Sequence, residues 1–277
     1  MKPCSIILSM AMGCYMAATC AAANCPNNMV QSGSTCIDRY EASVYKSNDP
    51  RCLAALRAAA AAGIDPPPCA LQVAVNDVAY QDAQCKFNGG GCTNLFAFSK
   101  PGVIPARTIN YFIAAAACRN SGKRLPSNAE WQAAALGTPD PWPQNSDPQF
   151  DPAKLCNLNG PSATLTGSRT QCRSDVGAFD MVGNVIEFVA DWGPLATTGA
   201  NWDVFQPGFG GDVSNMGGPP NGNKIYGLPG TTLRGGSFSI NPNSGGTGQL
   251  AGVYAIDQNG APNSIGDGTA AGFRCAK

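Results

Sequence analysis

Thirteen cysteines and no histidine in 277 residues set the strongest limits on what this chain can fold into and do. Cysteine at this density is typical of chains that fold in an oxidising compartment, where disulfides brace the structure. The absence of histidine excludes Ser-His-Asp and Cys-His nucleophile systems, HExxH zinc sites and two-His-one-carboxylate iron sites. The 18 basic and 18 acidic side chains give a net charge of zero, so nucleic-acid binding has no electrostatic basis.

The first 23 residues have the features of a secretory signal peptide. Lys2 precedes an apolar run from Ile6 to Met16, and Ala21-Ala22-Ala23 supplies the small residues of a cleavage site. The run is interrupted and too short for a membrane span, and the residues before its cysteines fit a lipobox poorly. We therefore predict no membrane span and no lipid anchor. Residues 24–277 are expected to be secreted, periplasmic or displayed at the cell surface.

Removal of the signal peptide leaves an even number of cysteines, which permits five disulfides and no free thiol. The ten that remain are Cys25, Cys36, Cys52, Cys69, Cys85, Cys92, Cys118, Cys156, Cys172 and Cys275. No Cys-x-x-Cys occurs among them, so a zinc ribbon or a thioredoxin-like pair is not expected. Local loops suggest the pairs Cys52–Cys69 and Cys85–Cys92, and the sequence alone does not prove any connectivity.

The length of residues 24–277 fits one large domain or two small ones. We predict a single domain with an insertion at about 48–100. The insertion contains an Ala-rich helical stretch from Leu53 to Ala62, then a proline run, a glycine run and four cysteines. Its composition differs from that of the flanking chain, and we interpret it as a segment stapled by local disulfides.

Residues 25–47 alternate apolar and polar side chains on either side of Ser32-Gly33-Ser34, which predicts a β-hairpin. Cys25 and Cys36 lie near the base of this hairpin. Its two acidic residues, Asp38 and Glu41, could be functional carboxylates, but on a short hairpin they are expected to be solvated or to cap turns.

Two short helices are predicted further along the chain. The first begins at Thr108 as N-cap and ends at Ser121-Gly122. Its buried face carries Ile109, Phe112, Ile113, Ala116 and Ala117. The second helix begins with the capping box Ser127 to Glu130 and stops before Gly137.

Three short strands are predicted after the helices, at Val185 to Trp192, Thr232 to Ile240 and Ala271 to Ala276. Between them, residues 193–230 and 241–270 are rich in Gly, Asn and Pro and show no periodicity. Loops of this length inside a domain are usually functional or disordered. We expect these two segments to lack helices and strands.

Six blocks in fixed order carry a family resemblance. They are GKRLPSNAEWQAAA (122–135), PW (141–142), CNLNG (156–160), FDMVGNVIEFVADW (179–192), LRGGSF (233–238) and GFRCA (272–276). Together they resemble the signature blocks of the formylglycine-generating enzyme family, also called sulfatase-modifying factor domains. CIDRYEAS (36–43) resembles the start of such a domain. The resemblance implies an α+β, C-type-lectin-like fold with two short helices, small twisted sheets and a high loop content.

Most residues of these blocks are expected to serve structure. The aromatic residues expected in the core are Trp131, Phe188 and Trp192. The arginines expected to form ion pairs or to tie strand ends to loops are Arg124, Arg234 and Arg274. The resemblance also implies a disulfide between Cys118 and Cys275, which would close nearly the whole domain.

The family's enzymes oxidise a sulfatase cysteine to formylglycine, using two copper-binding cysteines that follow the Arg-Gly-Gly-Ser block. By spacing, those positions fall at Ile240 and Gly245, and no cysteine occurs between Cys172 and Cys275. A copper(I) centre requires soft thiolates, so we predict no copper site. Only Ser237 of the catalytic set is retained. The lack of histidine also excludes the family's iron-dependent sulfoxide-forming branch.

The resemblance implies structural calcium as a cofactor. By motif position the ligands would be Asn157, the backbone of Leu158, Asn184 and Glu187, with Asp175 as a looser candidate. Calcium takes six to eight oxygen ligands from carboxylates, amides and carbonyls. Turn capping is the alternative role of these residues.

Two functions remain open. The first is a non-catalytic secreted module that binds a protein or glycan ligand or serves structure, since aromatic and small polar residues in 193–230 and 241–270 are typical of recognition loops. The alternative is a formylglycine-generating-type oxidase, or another oxidase using the same cleft with Asp191, Asp203 or Asp212 as acid-base groups. The missing cysteine pair favours the first.

Overall fold

A computed structural model of the protein describes ten stretches of the chain. They are residues 25–73, 85–86, 88–139, 154–158, 160–194, 200–201, 213–215, 229–238, 251–260 and 271–277. The expected signal peptide, residues 1–23, and the Pro141-Trp142 block lie outside them. Within these stretches, no helix has both the length and the apolar character needed to cross a membrane.

The described residues form three helices and eleven strands. In chain order these are β1 Met29–Ser32, β2 Thr35–Asp38, β3 Ala42–Lys46, α1 Pro50–Ala62, β4 Leu71–Val73, β5 Leu95–Ser99, α2 Tyr111–Asn120, α3 Asn128–Ala135, β6 Ile186–Pro194, β7 Ala200–Asn201, β8 Val213–Asn215, β9 Pro229–Gly235, β10 Gly252–Gly260 and β11 Ala271–Phe273. The strands form a β1–β2 pair, a β4–β3–β5 sheet and a six-stranded sheet in the order β11–β6–β9–β10–β8–β7. The architecture is therefore α+β, with small sheets.

The predicted hairpin is present as β1 and β2, with Ser32 paired to Thr35 and Gly33 at φ 59° in the turn. Cys36 of β2 also exchanges backbone hydrogen bonds with Lys277, at 2.8 and 3.0 Å. The hairpin is thus bonded to the end of the chain, and β3 continues from it into the second sheet.

The predicted second helix is confirmed as α3, where Ser127 and Glu130 form a reciprocal capping box. The predicted start of the first helix at Thr108 is wrong. Thr108 has φ 57°, and Asn110 is the N-cap, since its side chain accepts a 3.0 Å hydrogen bond from Ile113 N–H. Asn and Thr are both preferred N-cap residues, so the sequence pattern alone did not distinguish Asn110 from Thr108.

The three predicted late strands correspond to β6, β9 and β11, with shifted ends. The expectation that 193–230 and 241–270 hold no strands is wrong, because β7, β8 and β10 lie there. β10 pairs with β9 through register shifts between Gly252 and Ile256 and between Asp257 and Gly260. Such irregular pairing hides the period-two alternation that a sequence pattern requires.

All ten cysteines of the described chain form disulfides. The pairs are Cys25–Cys36, Cys52–Cys69, Cys85–Cys92, Cys118–Cys275 and Cys156–Cys172. Both local pairs suggested by the sequence are present, as is the pair implied by the family resemblance. Cys25–Cys36 staples the N-terminal hairpin, and Cys156–Cys172 completes the set.

The interior is divided among several apolar clusters. Ile113 and Ala117 of α2 pack with Leu95 of β5 and Phe273 of β11 in the largest one. Trp131 of α3 belongs to a second cluster, with Met181 and Val189 among its members. In the predicted insertion, Leu56 of α1 packs against Phe96 and Phe98 of β5. The helices therefore bury their apolar faces against the sheets, and α3 and β6 meet at Trp131.

Candidate functional site

The Arg-Gly-Gly-Ser segment begins at the end of β9 and lies against helix α3. The Arg234 guanidinium lies over the Trp131 indole, 4.6 Å from its centroid. It donates to Asn128 Oδ1 at 2.8 Å, to the side chain of Gln132 and to the Val253 carbonyl at 2.9 Å. Arg234 therefore joins β9 to α3 and β10, which is the bracing role expected for it.

The two residues after Arg234 bring the backbone close to the segment before β6. Gly235 has φ 83°, and a Cβ there would lie 2.5 Å from the Met181 carbonyl oxygen, so a glycine is required. Phe238 N–H donates to the Asn184 carbonyl at 3.0 Å. Ser237, the residue retained from the catalytic motif, is 4% exposed.

Glu187 is the acceptor for two buried donors. Trp131 Nε1 donates to its Oε2 at 2.8 Å, and Arg274 Nε and Nη2 donate to its two oxygens at 2.6 to 2.9 Å. Arg274 also donates to the carbonyls of Asp38 and Phe179, at 3.0 and 2.9 Å. The predicted bracing role of Arg274 is confirmed, and Glu187 is its ion-pair partner.

The expectation that Asp38 and Glu41 are solvated is wrong, since both are fully buried. Lys123 Nζ donates to Asp38 Oδ1 at 2.8 Å and Oδ2 at 3.1 Å. Glu41 accepts from Val185 N–H at 2.9 Å and from Asn184 Nδ2 at 2.5 Å. Their partners, which include Cys275 N–H for Asp38, lie 85 to 237 residues away in sequence, and a local pattern cannot reveal such contacts.

Asp180 is a functional candidate that the sequence reasoning missed. Its Oδ2 accepts from Gly167 N–H at 2.7 Å, whereas its Oδ1 is buried with no hydrogen-bond partner. An orphaned carboxylate oxygen in the interior is costly and calls for a proton or a cation. One feature of the sequence could have pointed to Asp180: it is a carboxylate between the apolar residues Phe179 and Met181 in a family block.

Burial raises the pKa values of three acidic groups here, and neighbouring carboxylates add to the shift for two of them. Burial raises the pKa of Asp180 to about 7, with the Glu187 charge acting in the same direction. Burial, and then the charges of Asp180 and Glu187, hold the pKa of Glu41 well above its usual value. Burial also raises the pKa of Asp38, and the Lys123 charge opposes this. Arg274 is the shared counter-charge for Glu41, Asp180 and Glu187.

The structure brings together two of the residues expected to bind calcium. Asn157 Nδ2 donates to Asn184 Oδ1 at 3.2 Å, and Thr164 N–H donates to the same oxygen at 2.7 Å. Leu158 is half-buried beside Asn157. Asp175 is exposed and lies against Gly137, just after α3.

As placed, Asn184 and Glu187 do not direct free side-chain oxygens at a calcium ion. The side-chain oxygens of Asn184 and Glu187 accept hydrogen bonds from protein N–H groups, whereas a calcium ligand directs its lone pairs at the ion. Across the described stretches, no three Asp, Glu or Cys side chains are grouped so that they could hold a metal ion. Asp180 Oδ1 is the nearby carboxylate oxygen left without a donor.

Two of the three predicted core aromatics are confirmed, since Trp131 and Phe188 are 0% and 1% exposed. The prediction is wrong for Trp192, which is 38% exposed and packs edge-on to Tyr111. A register shift in β6 between Phe188 and Trp192 breaks the alternation that would have buried it. Arg124 forms the expected ion pair, with Glu130 at 2.6 Å.

A family model supplies the identification. The sulfatase-modifying factor enzyme 1-like domain matches residues 70–277. The chain belongs to this family. With three helices and small sheets, this sulfatase-modifying-factor domain has the α+β, C-type-lectin-like fold class predicted from the resemblance.

Solved structures similar to this domain include two variants of a major tropism determinant. The P3c and I1 variants are each 17% identical to it, with a TM-score of 0.48, and the match covers 92% of this chain and 53% of theirs. The domain thus spans about half the length of those chains. No curated protein matches the chain.

The family match begins at residue 70, but the described domain uses earlier residues as well. Cys36 is bonded to Lys277, and Glu41 is bonded to Val185. The strands β1 to β3 therefore contribute to the same buried site as the sulfatase-modifying-factor blocks.

Proposed function

We propose that this sulfatase-modifying-factor domain is a non-catalytic binding or structural module of a secreted protein. One observation carries the proposal: every cysteine from Cys25 to Cys275 is in a disulfide. The family's oxidation of a substrate cysteine depends on copper held by two thiolates, and neither a disulfide nor a hydroxyl supplies that ligand. The two positions expected for those cysteines, Ile240 and Gly245, lie outside the described residues and are not cysteine.

The polar groups of the site support a structural role. Glu187 is saturated by Arg274 and Trp131, and Asp38 pairs with Lys123. A catalytic acid or base must reach a substrate proton within hydrogen-bond distance, and these carboxylates are directed at protein donors. Asp191 likewise accepts a 2.5 Å hydrogen bond from the backbone N–H of Asn128, where it caps α3.

We propose that the ligand is a protein or a glycan. The proposed function involves neither copper nor nucleic acid. Support comes from the composition of 193–230 and 241–270, where aromatic side chains stand among small polar residues. Trp202, Phe205 and Phe209 lie outside the described residues. Five disulfides are typical of a protein folded in an oxidising compartment, which supports a secreted, periplasmic or cell-surface location.

An oxidation assay tests the proposal. Residues 24–277, purified under oxidising conditions, are incubated in air with copper and a sulfatase-type cysteine peptide, and the peptide is followed by mass spectrometry. We expect no formylglycine, whereas an active family oxidase in a parallel reaction gives it. Turnover would establish the oxidase alternative, and the variant Ser237→Ala would then report whether the motif serine takes part.

A thiol count provides an independent measurement. We expect alkylation of the unfolded, non-reduced protein to label no cysteine, because all ten are paired. A labelled pair would contradict the observation on which the proposal depends.

A further inference from the structure

The five disulfides differ sharply in their access to solvent. Cys118 and Cys275 are both 0% exposed. Each cysteine of the Cys85–Cys92 and Cys156–Cys172 pairs is at most 7% exposed. Cys69 is exposed, whereas its partner Cys52 is 3% exposed. A dissolved thiolate must reach a sulfur to attack it, so exposed disulfides are the labile ones. Exposure therefore places Cys52–Cys69 first in the order of reduction.

Cys69 lies in a segment with few buried residues. We call residues 63–73 the flap, and only Gly63 and Val73 within it are buried. The flap ends in β4, which lies at the edge of its sheet and pairs with β3 over three residues. Segments with so little buried apolar surface open locally at low free-energy cost.

The start of the flap is bonded to α1, since Gly63 N–H and Ile64 N–H donate to the carbonyls of Ala60 and Ala59 at 3.3 and 3.1 Å, and Ala70 is partly buried. Two side-chain contacts of the flap lie at the surface. Gln72 Nε2 donates to the Ile104 carbonyl at 2.9 Å, and Lys100 pairs with Asp65 at 2.5 Å with the Asp65 side chain 71% exposed. An exposed ion pair contributes at most about 1 kcal/mol. The disulfide is thus the strongest restraint between the flap and helix α1.

We propose that Cys52–Cys69 is a redox-responsive clasp that holds the flap against β3. A small-molecule thiolate attacks the Cys69 sulfur, forms a mixed disulfide and releases the Cys52 thiolate. A second thiol molecule then attacks the mixed disulfide, which leaves Cys69 reduced and the small-molecule disulfide as the oxidised product. Release of β4 leaves the outer edge of β3, residues 44–46, unpaired and open to another strand.

Site-resolved reduction tests the clasp. The oxidised protein is incubated with graded glutathione, quenched with an alkylating reagent and digested, and labelling of each cysteine is followed by mass spectrometry. We expect Cys52 and Cys69 to be labelled on the order of tenfold faster than Cys118 and Cys275. Equal rates for all five pairs, or a protected Cys69, would overturn the proposal.

Hydrogen exchange tests the structural consequence. In the selectively reduced protein, the amides of Leu71 to Val73 should exchange faster, and those of α2 should be unchanged. The double variant Cys52→Ala/Cys69→Ala should show the same pattern without any thiol. The matched variant Cys85→Ala/Cys92→Ala should leave the flap protected. Full protection of β4 in the first variant would show that the disulfide is not the clasp.

Discussion

Arg274 and Glu187 form an ion pair from which solvent is excluded, with Nη2 2.6 Å from Oε1 and the side chains 0% and 1% exposed. Arg274 follows β11 directly, and the pair joins this strand end to β6, where Gly272 lies opposite Glu187 in parallel register. Because Arg274 also donates to the carbonyls of Asp38 and Phe179, a single guanidinium links four segments of the chain.

Removal of this guanidinium should be strongly destabilising. Arg274→Met leaves Glu187 as an unpaired buried charge, and we expect the free energy of unfolding to fall by about 3–5 kcal/mol. Urea denaturation followed by tryptophan fluorescence measures it. Lys100→Met is the matched control, because Lys100 pairs with the exposed Asp65 and its loss should cost less than about 1 kcal/mol. Similar losses for the two variants would contradict this role of Arg274.

Stability should fall as the pH rises through the neutral range. The pKa of Asp180 is raised from 3.8 to about 7 in the folded protein. Between these values the folded state holds a proton that the unfolded state has released, so the free energy of unfolding decreases with pH by up to about 1.4 kcal/mol per unit. Glu41, whose pKa is also raised, acts in the same direction.

Urea denaturation between about pH 5 and pH 8 measures this dependence. Asp180→Asn should flatten the profile, and Asp65→Asn is the exposed control. The pKa of Glu130 is lowered to about 2, chiefly by its hydrogen bond with Arg124, so its contribution is lost only as the pH falls below about 4.5. A profile that rises over the neutral range would refute the assignment of Asp180.

The long-range disulfide should contribute more stability than the short one. Cys118 and Cys275 are 157 residues apart, whereas Cys85 and Cys92 are 7 apart. Loop-closure entropy predicts losses of about 5 and about 2 kcal/mol when each pair is replaced by alanine. Thermal and urea unfolding of the two double variants measure these losses of stability. A larger loss for the Cys85–Cys92 variant than for the Cys118–Cys275 variant would contradict the prediction.

The family resemblance implies calcium, whereas the geometry of Asn184 and Glu187 predicts that neither binds it. Because the oxygens of Asn184 and Glu187 accept protein hydrogen bonds, we expect the Tm of chelator-treated protein not to rise when calcium is added. A calcium-dependent rise would contradict this expectation. If the Asp180→Asn variant then showed no such rise in Tm, the ion would be located at the orphaned Asp180 oxygen.

Local chemistry made several parts of this protein predictable. The Ser127 to Glu130 capping box lies within one helical turn, and the Gly33 turn joins adjacent strands, so each could be recognised from a few residues. Cys52–Cys69 was predictable for the same reason, because a short loop limits the possible partners. Where the pairing was irregular, as in β10, the pattern failed.

The sequence by itself determined the family, the cysteine inventory and the lack of thiols at the positions that copper would need. Only the tertiary structure decided that Asp38 and Glu41 are buried, that Asp180 has an orphaned oxygen and that Arg274 is their shared counter-charge. The reason is physical: burial and electrostatic interaction depend on distance in space. The groups that meet at this site come from residues 38 to 274, and no local pattern records that they meet.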